Sequence, residues 1–174
     1  DANEKRLKKI QDELTAVNNS LVEKNHNLTL LSKIGKLVTS SLDIKEILFV
    51  IYDSLHSYLN IEIISFGLVD EQQNCVKYKN ILVKGEYIPG MQRDSLDNEN
   101  LSSLCIKKRQ EIISNDFQEE YPEFAAEFNK QTDSPIHSVA YFPLTFQGNI
   151  IGILGFQNIE KNTFQEHHIP LLRD

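Results

Sequence analysis

Five histidines and two cysteines are the residues of this 174-residue chain best suited to catalysis or metal binding, and their spacing argues against both. His26 and His56 fall in helical patterns, and His137 stands alone. His167 and His168 are adjacent at what reads as the start of a helix. Neighbouring helical side chains diverge by about 100°, so the two do not chelate one ion together, and no metal site is expected. Cys75 and Cys105 lie thirty residues apart with no paired motif. That usage fits reduced thiols in a cytoplasmic protein better than a disulfide framework or a zinc site. Cys105 reads as a small buried hydrophobe, with redox chemistry or covalent ligation as the alternative. No nucleophile elbow, triad order or Walker motif occurs, so the chain is expected to have no catalysis of its own. Gly152 and Gly155 sit inside a strand pattern, where they serve close packing better than phosphate binding.

Binding is the better prospect. Phe117, Tyr121, Phe124 and Phe128 recur at helical spacing. They form either a helix packed on a sheet or an aromatic lid over a small molecule. Asn115 and Asp116 end a strand, where they either bond a ligand or cap the next helix. Tyr141 and Gln157 lie on neighbouring strands, one parity of which would face a pocket.

The elements that position these residues begin with a long helix. Leu7, Ile10, Leu14, Val17, Leu21, Leu28, Leu31 and Val38 alternate in steps of three and four. With Leu7 as position a, Lys24 and Gly35 alone break the a/d seam. So narrow a stripe suits a partner helix, and its length of roughly 55 Å exceeds what a small domain covers. Residues 1–40 are therefore read as a coiled coil that makes a parallel homodimer. Residues 41–174 are read as one domain.

In that domain Asp43 caps a helix, with Glu46 at capping-box spacing. Ile44, Ile47, Leu48, Ile51, Leu55 and Leu59 form its apolar face. Strands are expected at 61–69, 75–83, 111–114, 138–146 and 150–157. The first two and the last two pair as hairpins. Residues 84–100 read as loop, 101–108 and 117–130 as helices, and 164 onward as a final helix. Hairpins at both ends argue for an antiparallel α+β domain.

Charge narrows the partners. Residues 1–40 carry seven Lys/Arg against five Asp/Glu, and residues 41–174 carry eleven against twenty. An acidic domain without a basic stripe is not built for nucleic acid. No apolar run is long enough to span a membrane, and no membrane contact is expected of this segment. The charged start and the apolar run at the end read as the boundaries of a piece of a longer protein.

Several stretches resemble the GAF domain, a PAS-like sensory module. Leu42-Asp43-Ile44-Lys45-Glu46-Ile47-Leu48 is similar to the family's helix opening. Ser138-Val139-Ala140-Tyr141-Phe142-Pro143-Leu144 is similar to its strand ending in Pro-Leu, and Gly148-Asn149-Ile150-Ile151-Gly152-Ile153-Leu154 to the turn and strand that follow. Ile112-Ile113-Ser114-Asn115-Asp116 and Gln157-Asn158-Ile159-Glu160-Lys161-Asn162-Thr163-Phe164, then Glu166-His167-His168, resemble a subgroup from bacterial signalling proteins. The resemblance covers roughly residues 31–174. It implies an antiparallel sheet of five to six strands, core order 2-1-5-4-3, with helices on both faces. Its first, second and last helices would share one face. Residues 84–137 would wall a small-molecule pocket on the other.

On that reading the candidate ligand contacts are Cys105, Asn115, Asp116, Phe117, Tyr121, Phe124, Tyr141 and Gln157. Family ligands include cyclic nucleotides, linear tetrapyrroles, haem and small metabolites. Asn158, Lys161 and Phe164 match part of a cyclic-nucleotide signature, but the Asp-Glu that completes it is missing. The neighbours of Cys105 do not match a bilin site, and two distant cysteines do not match the sulfoxide-reductase branch. No cofactor can be named. The expected role is a ligand-binding and dimerising sensor feeding an absent output, such as a histidine kinase or nucleotide cyclase. A ligand-free structural relay and a thiol-based reductase are the alternatives.

Overall fold

The computed structural model describes residues 2–40, 43–88, 93–130 and 134–173. Two compact units make up the chain, Asp1–Leu42 and Asp43–Arg173. The first is a single helix, α1 (Ala2–Ser40). Its sequence has no Gly or Pro before Gly35, so nothing interrupts the backbone hydrogen-bond ladder over most of its length. Leu7, Ile10, Leu14, Val17, Leu21 and Leu28 are each more than half exposed. Leu31 belongs to the helix, but its side chain lies outside the described residues, as do those of His26 and Val38. Ser41, Leu42, Pro89, Gly90 and Thr132 lie outside them as well. No described helix is long and apolar enough to cross a membrane.

The second unit opens with α2 (Ile44–Leu59), capped by Asp43, whose carboxylate accepts from the Lys45 N–H at 2.9 Å. Asn60 ends it in the left-handed conformation at φ 54°. Then follow β1 (Ile63–Asp70), β2 (Cys75–Val83), β3 (Glu86–Tyr87), β4 (Arg93–Ser95), α3 (Leu101–Lys108) and β5 (Ile112–Ser114). The chain closes with α4 (Phe117–Glu120), α5 (Pro122–Asn129), β6 (Ser138–Phe146), β7 (Asn149–Asn158) and α6 (Ile169–Arg173). The strands form one antiparallel sheet in the order β3-β2-β1-β7-β6-β5, with β4 also on β2. Its central five strands have the order that the resemblance implied.

Alternation divides the sheet's side chains between two faces. Ile64, Leu82, Ala140 and Phe156 are buried on the face covered by α2, whose Leu48, Tyr52, Leu55 and Leu59 are buried as well. The Tyr58 ring meets His168 edge-on, which joins the C-terminal segment to the same layer. Ile63, Val139, Tyr141 and Ile153 belong to the opposite layer, together with Cys105 of α3 and Phe117 of α4.

Three expectations need correction. Residues 84–100 are not all loop, since they contain β3 and β4. Lys84 and Gly85, both at positive φ (51° and 82°), make a two-residue hairpin turn that returns the chain along β2. Strands of two and three polar residues carry too little pattern to read. The helix expected over 117–130 breaks at Tyr121, at φ −137° and ψ 59°. Pro122 lacks an N–H and disfavours helical geometry in the residue before it, so α5 starts afresh there. The last helix starts at Ile169 rather than near Phe164. His167 and His168 therefore lie in turns, and their rings are 3.9 Å apart between centroids instead of diverging along a helix.

Candidate functional site

A cavity of about 510 Å³ opens between the sheet and the α3–α5 side of the domain. Its floor comes from four strands: Ile63 and Ser65 of β1, Tyr78, Ile81 and Val83 of β2, Tyr141 of β6 and Gln157 of β7. Residues 78, 81 and 83 do not share one parity. Lys79 is an extra residue in β2, because Phe66 pairs with Asn80 while Gly67 pairs with Tyr78. That bulge turns the second half of the strand over, so both halves present apolar side chains to the cavity. The walls are Asp94, Asn98, Glu99, Asn100, Leu101 and Ser102 on one side. Phe117, Glu123, Phe124, Glu127 and Phe128 stand on the other.

The aromatic wall is internally braced. Phe117 and Phe128 meet edge-on at 6.2 Å, and Tyr121 stacks on Phe124 at 5.9 Å. Gly155 keeps the floor open. A Cβ there would stand 2.6 Å from Ser65 Oγ and 2.9 Å from the Tyr141 ring.

The floor is polar in a specific way. Gln157 Nε2 donates to the Tyr141 hydroxyl at 2.6 Å. Gln157 Oε1 has no partner, although the residue is 3% exposed. Ser65 Oγ is equally buried and makes no hydrogen bond of good geometry. Unpaired buried polar atoms are costly, so such atoms facing a cavity mark a place where a ligand or water completes the bonding. On the rim, Asp94 accepts from Ser102 Oγ at 2.6 Å and from the Tyr78 hydroxyl at 3.0 Å. Burial holds the Tyr78 phenol well above its usual range, and it does the same for Tyr141. Both phenols therefore stay neutral and able to donate or accept.

Of the eight residues considered as ligand contacts, Phe117, Phe124, Tyr141 and Gln157 line this cavity. Tyr121 lies behind Phe124. Cys105 is fully buried on α3, its thiol 3.7 Å from the Tyr141 carbonyl and pushed up to about 12 by burial. Asn115 and Asp116 do something else. Asn115 Oδ1 accepts from the Phe164 N–H at 2.8 Å, and its Nδ2 donates to the Phe164 carbonyl at 2.7 Å. Asp116 pairs with Lys161, whose ammonium holds the carboxyl below its usual range. These residues clamp the start of α4 to the segment that leads into α6. Ser65, Tyr78, Asp94 and Ser102 were not singled out in the sequence. The bulge in β2 conceals the facing of Tyr78, and Asp94 stands on a strand too short to recognise.

Among the described residues no group of three or more His, Cys, Asp or Glu is gathered as a metal would require.

A family model described as the GAF domain matches residues 41–174. The chain belongs to the GAF domain family. Within it, the chain is similar to the formate hydrogenlyase transcriptional activator of Salmonella typhimurium, 24% identical over 157 residues. That alignment covers 88% of this chain but 22% of the relative, so the chain spans about a fifth of that protein's length. The GAF domain of an Acinetobacter phosphoenolpyruvate-protein phosphotransferase shares the fold, with TM-score 0.67 and 19% identity over 84% of this chain and 85% of that one. So does a free methionine-R-sulfoxide reductase of Neisseria meningitidis solved with its substrate, with TM-score 0.67 and 17% identity over 84% and 81%.

Proposed function

We propose that this GAF domain is the small-molecule sensor of a bacterial signal-transduction protein in the cytoplasm, dimerised through α1. The observation that carries the sensor reading is the cavity floor, where Gln157 Oε1 lies buried without a partner near Ser65 and Tyr141. A ligand that completes its bonding favours the arrangement in which the aromatic wall of α4 and α5 closes. The clamp of Asn115 and Asp116 on Phe164 and Lys161 carries that preference to the C-terminal segment. A ligand shifts such an equilibrium only through its different affinity for the two arrangements.

The open seam of Leu7, Ile10, Leu14, Val17, Leu21 and Leu28 supports pairing with a second copy. The output lies elsewhere in the protein. A histidine kinase or nucleotide cyclase fits, and the likeness to a transcriptional activator adds transcription control.

The thiol-reductase alternative is the weakest. A nucleophilic cysteine needs an accessible, acidified thiol, and Cys105 has neither property. The domain is expected not to reduce free methionine sulfoxide. The sensor reading is tested by the melting temperature of the purified chain with fractionated small molecules from a bacterial extract. A fraction that raises it reproducibly supports the sensor. No shift from any fraction favours the ligand-free relay.

A further inference from the structure

We propose that the cavity takes a small organic cation with N–H donors, an aromatic or aliphatic amine; this rests on the sensor reading above. Among the described residues four carboxylates line the cavity, those of Asp94, Glu99, Glu123 and Glu127, and no Lys, Arg or His does. Acidic residues alone would not make a site. The second observation lies at the floor, where the unpartnered buried atom of Gln157 is an acceptor, its amide nitrogen being committed to Tyr141. An acceptor without a donor calls for an N–H or O–H from the ligand. An anion would instead meet the carboxylates of the rim and, at Gln157 Oε1, a further oxygen lone pair.

Two further features fit the same ligand. Glu123 and Glu127 stand one turn apart on α5, a like-charge pair that a bound cation relieves. Lys130 pairs with Glu127 and offsets part of its charge, so the excess of negative charge at the mouth comes chiefly from Asp94, Glu99 and Glu123. The rings of Tyr78, Phe117, Phe124 and Phe128 line the space between rim and floor, and aromatic faces attract cations more strongly where water is excluded. The ligand's positive end then sits among the rim carboxylates, and a donor group reaches Gln157 and Ser65. Field focusing by an acidic cleft raises the local concentration of such a ligand and lowers that of an anion.

The test is calorimetric titration of the whole chain with three compounds of one shape and different charge: phenethylamine, 2-phenylethanol and phenylacetate. The amine is expected to bind best and at least about tenfold more tightly than the acid. The double variant E123Q/E127Q, altered at exposed positions, should weaken the amine roughly three- to tenfold and leave the alcohol unchanged. The variant E71Q, at the distant β1–β2 turn, should leave all three unchanged, which separates the cleft from the overall charge. Phenylacetate or the alcohol binding as tightly as the amine overturns the cation proposal and keeps the sensor. An amine affinity that ignores E123Q/E127Q, or falls equally with E71Q, also overturns it. No binding by any of the three at millimolar concentration overturns the cation proposal, while the sensor reading stands or falls separately on the melting test with extract fractions.

Discussion

Asn115 and Asp116 hold two parts of the chain together that are some fifty residues apart in sequence. Both amide atoms of Asn115 are committed to the backbone of Phe164, itself almost fully buried. Replacing Asn115 by Ala strands a buried N–H and C=O, so a loss of about 2–3 kcal/mol is expected in urea unfolding. Asp116 makes a pH prediction. Its bond and ion pair with Lys161 lower its folded pKa beneath the unfolded value. The associated stability is present at neutral pH and lost as pH falls through the carboxylate range, near 4 and below. The Asp116→Asn protein is therefore expected to be less stable at neutral pH, with the difference from wild type shrinking as a melting series moves toward pH 3 or so. A difference that stays constant across the series refutes this assignment. From sequence, Asn115 and Asp116 drew notice for their position at a strand end. A side chain that bonds a backbone forty-nine residues on leaves no local pattern.

At the scale of elements, α4 and α5 form a wall that is braced but not closed. Phe124 stacks on Tyr121 and borders the cavity while remaining half-buried. Phe124→Ala is expected to weaken or alter ligand binding and to cost less than about 2 kcal/mol, since the space beside it is already open. A loss of about 3–5 kcal/mol, the range for an aromatic in a filled core, would mean that the rings occupy the space themselves. The strands β6 and β7 were plain in the sequence because they are long, largely apolar runs of nine and ten residues joined by a Gly-containing turn at hairpin distance. The break before Pro122 was missed because proline at the first turn of a helix is tolerated, and only the geometry of Tyr121 reveals that a new helix begins. Which parity of β6 and β7 faces the cavity could not be read, because both faces of the sheet are covered and apolar residues occupy both parities; in β2 an extra residue at Lys79 reverses the facing within the strand.

At the scale of the whole molecule, the account joins two expectations: a pocket that takes a small molecule and a helix that pairs with its copy. The heptad seam was readable because it is periodic over several turns. The cavity was not, because it needs side chains from five strands and three helices brought together. Aspartates at Leu14 and Leu21 would place charges in an apolar seam, so the double variant is expected to sediment as a monomer where wild type is a dimer. Native mass spectrometry of the purified chain, at about 10 µM, tests both halves at once. The account predicts twice the chain mass, with an added small-molecule mass that gentle activation strips away. A bare monomer that takes up no small molecule would contradict it.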